Sequence, residues 1–281
     1  MRKGTLTPGN LLLALIGFLF FVSFSVTLVL NLRCIYYFDI DYLDLESTTG
    51  YSEEVIRRNY DALIDYNLVT KGVEELEFPD FPMSENAATH FEEVKRIFVT
   101  LQYLCVISGV VFLIGLCRCI FRKDTGKVSA RKSRGRDSGA TAVGGRRNSA
   151  GKTASRQPVK DCDPLRRRYG SLKLLSILTF LIPVVLGVCA AVNWDVFFVR
   201  FHELFFNNDY WLFDPATDPV ILILPDEFFA HCAAAILLFL FLEGILTGML
   251  YRFLTRSASS GPGGKHKSRP APSDSGGKHK A

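Results

Sequence analysis

Hydrophobic positions along the chain gather into four long blocks with polar and charged segments between them. Leu11 to Leu30 carries no charged side chain, and Ile97 to Leu116 has Gln102 as its one strongly polar residue. Leu174 to Val192 is again uncharged, and Ala233 to Leu250 holds a single charge, Glu243. Each block is close to the ~20 residues that carry a helix across ~30 Å of hydrocarbon. Helices buried in a soluble core normally run shorter and keep a polar edge. The pattern therefore predicts an integral membrane protein, mainly α, with spans over 11–32, 97–121, 171–192 and 230–254. Arg2 and Lys3 precede the first block as they would in a secretory leader, but the block is long and no small-x-small cleavage site follows. Arg33 also stands where a lipoprotein cleavage site before Cys34 would need a small residue, so the first block reads as a retained helix.

The segments between blocks carry shorter patterns. In CIYYFDIDYLDLES, from Cys34 to Ser47, apolar and acidic residues alternate, which predicts a strand. Thr48-Thr49-Gly50 reads as a turn. Ser52 can then cap a helix whose first turn holds Glu53 and Glu54, favourable at the positive helix end, and whose apolar face is Val55, Ile56, Tyr60, Leu63, Ile64 and Leu68. Phe78-Pro79-Asp80-Phe81-Pro82 excludes helix, because a residue before proline is pushed out of the α region. Ser84 opens a further helix that runs through His90, Val94 and Ile97 into the second span. After the third span, which contains Pro183 as a kink, Asn193 and Trp194 mark the membrane surface, and Val196 to Leu204 reads as an interfacial segment. Tyr210 to Phe213, Asp214 to Asp218 and Pro219 to Leu224 then predict strand, turn, strand, able to pair with the strand after the first span. The expected fold is a four-transmembrane-helix bundle with a small α+β extracellular cap.

Charge sets the orientation. The net charge is +5, and 15 of the 33 Lys and Arg lie between Arg122 and Arg168 with four acids, whereas Arg33 to Arg96 holds 15 acids against six bases. Basic loops stay cytoplasmic. The N-terminus (1–10), the 122–170 loop and the tail (255–281) are thus expected inside the cell membrane, and the cap segments 33–96 and 193–229 outside. The loop and tail, the latter repeating GGKHK at Gly263 and Gly276, lack the apolar residues needed to offset ordering and read as disordered. A nucleic-acid partner is not expected, since no aromatics are interleaved with the basic residues as a stacking platform. The seven cysteines, Cys34, Cys105, Cys117, Cys119, Cys162, Cys189 and Cys232, make no disulfide framework, and Cys117-x-Cys119 has no second pair for zinc.

Candidate chemistry concentrates at one level. Apart from His266 and His279 in the tail, the histidines are His90, His202 and His231, from three segments, all placed at the outer membrane surface. His90 lies two turns before the second span beside Glu92, Glu93 and Lys95; His202 sits among aromatics ahead of Asn207, Asn208 and Asp209; His231 opens the fourth span. Two or three converging histidines suit acid/base chemistry at neutral pH. A zinc site from all three stays open as an alternative, as does a non-enzymatic cap that binds a partner or senses pH. No His-Glu-x-x-His, Gly-x-Ser-x-Gly, Walker or dinucleotide motif occurs, so no cofactor is implied. Glu243, inside the fourth span, fits a hydrogen bond to another helix better than a relay, and Gly244 and Gly248 allow close helix approach.

FHELFFNNDYWLFDPATDPVILILPDEFF from Phe201 to Phe229, HFEEVKRIF from His90 and TGYSEEVIRRNYDALIDYN from Thr49 together resemble the bacterial lipoprotein intramolecular transacylase family. The resemblance covers both cap segments and all four spans. It implies an enzyme without a cofactor that moves the sn-2 acyl chain of a diacylglyceryl-cysteine lipoprotein onto the α-amino group of the same cysteine, giving the lyso form. It assigns the catalytic roles to His90 and His202. The aromatic wall read around them comprises Phe201, Phe205, Phe206, Tyr210 and Trp211, with Phe197 and Phe198 alongside. Asn208 and Asp209 complete the expected substrate-binding set. The expected partners are diacylglyceryl-modified lipoproteins and membrane lipids.

Overall fold

The structure is a computed structural model that describes residues 7–121 and 168–257. The disorder expected of the basic loop and of the tail, with Cys162, His266 and His279, falls outside the described residues. Among the described residues, four helices are long and apolar enough to cross a membrane: α1 (Pro8–Asn31), α5 (Glu85–Phe121), α6 (Gly170–Val192) and α8 (Asp226–Ser257). Between α1 and α5 lie α2 (Arg33–Tyr42), α3 (Leu45–Thr49) and α4 (Glu53–Asn67); between α6 and α8 lies α7 (Trp194–Phe205). Short 3-10 turns cover Val69–Lys71 and Pro219–Ile223.

The long helices pack as a bundle. Gly244 and Gly248 set the α6–α8 contact: a Cβ on Gly244 would meet Thr179 Oγ1 at 3.0 Å and the Phe180 backbone nitrogen at 3.2 Å, and one on Gly248 would meet Ser176 Oγ at 2.8 Å. Ser176 uses that closeness to donate its hydroxyl to the Gly244 carbonyl at 2.8 Å. Ser25 of α1 donates to Glu243 Oε2 at 3.5 Å, so the intramembrane acid has a partner on another helix. Pro183 lies inside α6.

At one end of the bundle both connecting segments join one apolar core. Its centre is Tyr36, fully buried, stacked on Tyr60 at 3.7 Å and edge-on to Phe228 at 4.9 Å. Its hydroxyl donates to the Ile223 carbonyl at 2.6 Å. That single side chain ties α2, α4, the 219–223 turn and α8 together. Ser52 caps α4 by accepting the Val55 N–H, and Arg33 holds α2 to α4 through Asp61 (2.6 Å) and Asp65.

The expected strands are absent among the described residues, so the α+β cap is corrected to an all-helical layer. Cys34 to Ser47 folds as α2 and α3. Its aromatic and acidic alternation also fits a 3.6-residue period, and Tyr36, Asp39 and Ile40, spaced three and four apart, are the residues α2 buries. The predicted hairpin is likewise a turn followed by a 3-10 turn. Asp214 makes an Asx turn, accepting the Ala216 N–H on its side chain at 2.9 Å and the Asp218 N–H on its carbonyl at 2.8 Å. Pro219 then starts the helical turn, so no extended partner exists for a sheet.

Candidate active site

Two helix ends deliver the histidines. Ser84 caps α5 by accepting the Ala87 N–H at 3.1 Å, while its own N–H donates to Asp218 Oδ1 at 2.7 Å. The start of α5 is thereby pinned to the 214–224 segment, and His90 follows in the second turn. Asn193 caps α7 by accepting the Val196 N–H at 3.0 Å, and His202 lies in the last turn, where its carbonyl accepts the Phe206 N–H at 2.8 Å. α7 buries none of its residues fully, in keeping with a segment that lies along an apolar surface.

The two imidazoles meet with ring centroids 6.1 Å apart and planes 33° from parallel. Phe206, buried, touches both, at 4.7 Å from His90 and 5.8 Å from His202. His202 is held between Phe198 at 4.2 Å and Trp211 at 4.6 Å, the latter stacked at 26°. Its Nδ1 lies 2.8 Å from the Phe198 carbonyl. A carbonyl can only accept, so Nδ1 carries the hydrogen and the neutral ring keeps its lone pair on Nε2. His90 is 6% exposed, and its Nδ1 has no partner among the described residues. Burial, with the nearby His202 adding to it, pushes His90 down to about 4. His202 is also lowered, by burial that outweighs the Phe198 carbonyl and Asp226. Both rings are therefore neutral at physiological pH, in a wall of aromatic faces.

The expected residues separate into three groups. His90 and His202 come together, with Phe206, Trp211, Phe198 and Phe201 around them, Phe201 edge-on to His202 at 5.6 Å. Phe205 stands further out against Phe201 at 4.8 Å, and Phe197 packs on Trp194. Asn208 braces the site: its Nδ2 donates to both Glu93 oxygens at 3.0 and 3.2 Å, and its Oδ1 accepts the Tyr210 N–H at 3.2 Å. Tyr210 thus enters through its backbone, and Asp209 is exposed, with its carbonyl accepting the Leu212 N–H at 3.0 Å. His231 does not join the pair; its Nδ1 is 2.8 Å from Asp39 Oδ1, so the three histidines do not converge.

Sequence reasoning missed Phe213, which packs at 5.5 Å from His90 and 5.3 Å from Phe91. It also missed the pairing of Glu93 with Asn208. Glu93, one turn after His90 on the same helix, was the available signal.

Four membrane-crossing helices among the described residues, joined at one end to a helical layer that holds two neighbouring histidines in an aromatic wall, define an integral membrane protein. The chain belongs to the family described as lipoprotein intramolecular transacylase Lit, whose model matches residues 11–141 and 155–229. It is similar to the in meso structure of the membrane integral lipoprotein intramolecular transacylase Lit from Bacillus cereus, at 30% identity, with a TM-score of 0.71 over 89% of this chain and 96% of that one. Two further structures of the Bacillus cereus protein, with one histidine replaced by arginine or by alanine, match at 30% identity with TM-scores of 0.66, each over 89% of this chain and over 92% and 94% of theirs. No curated protein matches the chain.

Proposed function

We propose that this protein moves the sn-2 acyl chain of a diacylglyceryl-cysteine lipoprotein to the α-amino group of the same cysteine, with His90 and His202 as the catalytic pair and no enzyme nucleophile. The observation that carries the reading is that two neutral imidazoles from different helices stand with ring centroids 6.1 Å apart, close enough for both to reach one reacting centre placed beside them. Family membership supports the reaction type.

The chemistry follows from the tautomers. The substrate amine, neutral, attacks the ester carbonyl carbon, and the C–N bond forms. His202 Nε2 takes the proton that the nitrogen sheds. The C–O bond to the glyceryl oxygen then breaks, and His202 returns the same proton to that oxygen. One proton thus moves from amine to alcohol and the ring ends as it began. His90, neutral, gives an N–H hydrogen bond to the carbonyl oxygen as negative charge grows there; in a desolvated site such a donor is worth far more than in water. Donor and acceptor belong to one molecule, so the wall of Phe198, Phe201, Phe206 and Trp211 serves to fold the lipid head into reacting distance. The acyl chains would leave along the lipid-facing side of α7.

The charge distribution supports an orientation with both termini and the 122–170 loop in the cytoplasm and the helical layer outside, the side on which matured lipoproteins would meet it. The direct test is expression in a bacterial host that lacks lipoprotein N-acylation, followed by mass spectrometry of lipoprotein N-termini. The lyso form is expected, and its absence with the protein present in membranes would contradict the proposal.

A further inference from the structure

A second polar site lies away from the catalytic pair. Asp39 on α2 is fully buried, and one of its oxygens is bonded to His231 Nδ1 at 2.8 Å. The other, Oδ2, is buried with no donor among the described residues. A carboxylate only accepts, so His231 Nδ1 carries the hydrogen and donates it, and in the neutral ring Nε2 is the one acceptor. His231, 40% exposed, forms the floor of an open groove with Asp39, lined by Cys34, Ile35, Phe38 and Tyr42. Phe38 and Tyr42 stack on each other at 5.3 Å and are both largely exposed, and Tyr42 reaches His231 at 5.8 Å. Phe229 of α8 faces Phe198, next to His202, whereas His231 is two residues on and so about 200° around the helix. The groove therefore opens on another flank.

Nothing in the acyl-transfer chemistry uses this pair. A buried carboxylate is costly unless it is satisfied, and here one oxygen lacks a donor while the imidazole edge beside it also wants one. The lining holds no lysine or arginine, and Arg33, next to Cys34 in the chain, is engaged by Asp61 and Asp65. The site is thus short of hydrogen-bond donors and short of positive charge, and it has exposed aromatic faces that stabilise a cation. α2 begins two residues after α1 ends, which sets the groove at the level of lipid headgroups.

We propose that the Asp39–His231 groove is a second lipid site that takes the primary ammonium at the head of a diacyl amphiphile, an N–H group supplying His231 Nε2 and its charge resting against Tyr42 and Phe38 and offsetting the buried Asp39 carboxylate bonded behind the imidazole. The amine can come from an aminophospholipid or from the free α-amino end of a lipoprotein. The two sources share this chemistry.

Cys34, exposed on the groove wall, is a built-in reporter. Full-length protein in detergent is labelled with a hydrophilic maleimide, and peptide mass spectrometry follows the rate at Cys34. Four probes are compared: a short-chain phosphatidylethanolamine, the matching phosphatidylcholine, and a diacylglyceryl-cysteine peptide with its amine free or acetylated. Labelling is expected to slow about threefold once a free-amine probe reaches twice its Kd. The trimethylated and acetylated probes leave the rate unchanged, and whichever free-amine probe protects identifies the source. Tyr42→Ala, at an exposed wall where folding is not at risk, weakens the protection, and Asp39→Asn or His231→Gln removes it. Equal protection by the trimethylated lipid, or none by either amine, overturns the proposal. The readout needs no turnover, so it stands or falls apart from the acyl-transfer reading.

Discussion

Asn208 donates its side-chain amide to both carboxylate oxygens of Glu93, at 3.0 and 3.2 Å, and so fastens the loop that follows His202 to the helix that carries His90. The two halves of the site come from segments more than a hundred residues apart in the chain, and this is the polar clasp between them.

Breaking that clasp should loosen the pair without removing either ring. Asn208→Ala or Glu93→Ala is expected to lower kcat/KM about tenfold, near the lower end for a hydrogen bond to a charged group. The double variant should lose little more than either single one, since the residues act together. Steady-state kinetics on a synthetic diacylglyceryl-cysteine peptide checks this; additive losses would mean that the residues act separately.

The pH behaviour follows from the depressed histidines. The attacking amine must be neutral, and an α-amino group titrates near about 7.7–8.0. The acid limb of the rate profile should therefore follow the substrate amine, with no separate step near 6.5, the ordinary histidine value from which His90 is lowered. Stability also falls in acid, but through a different group. Between pH 6.5 and about 4 the unfolded chain binds a proton at His90 that the folded one refuses, so the melting temperature falls as pH drops through that window. In His90→Gln that part of the fall should vanish, which thermal melts across the range would show.

Phe206 touches both imidazoles and is buried, so Phe206→Ala removes a shared wall. We expect a loss of about 3–5 kcal/mol of stability, the usual range for a buried Phe→Ala change, together with loss of activity. Leu204→Ala, two residues away and 78% exposed, should leave both unchanged. Paired thermal melts and activity assays distinguish them.

Gly244→Val tests the bundle. Its Cβ would press on the Phe180 backbone nitrogen at 3.2 Å, so the helices must separate, at an expected cost of about 1–3 kcal/mol. Gly187→Ala, whose Cβ meets only Leu237 Cδ1 at 3.6 Å, should be tolerated. Thermal stability in detergent is the measurement.

The four spans could be read directly because each is an unbroken apolar run, a signal that depends on no partner. The depths of His90 and His202 were legible for related reasons: His90 lies two turns before a span on the same helix, and His202 lies in an interfacial segment that directly follows one. The cap was misread where a run was too short to separate two periods. Tyr36, Asp39 and Ile40 bury one helical face, yet their neighbours alternate as a strand would. The contacts Glu93–Asn208 and Asp39–His231 join residues 115 and 192 positions apart, and no local pattern encodes such pairs.

The central claim is that His90 and His202 carry out the acyl shift themselves. Purified protein incubated with a synthetic diacylglyceryl-cysteine peptide should convert an O-linked chain to an N-linked one of the same mass, located by tandem mass spectrometry. His90→Ala and His202→Ala, each checked for folding, should abolish the conversion. Conversion that persists in either variant, or a wild-type product that has lost the chain to water, would contradict the account.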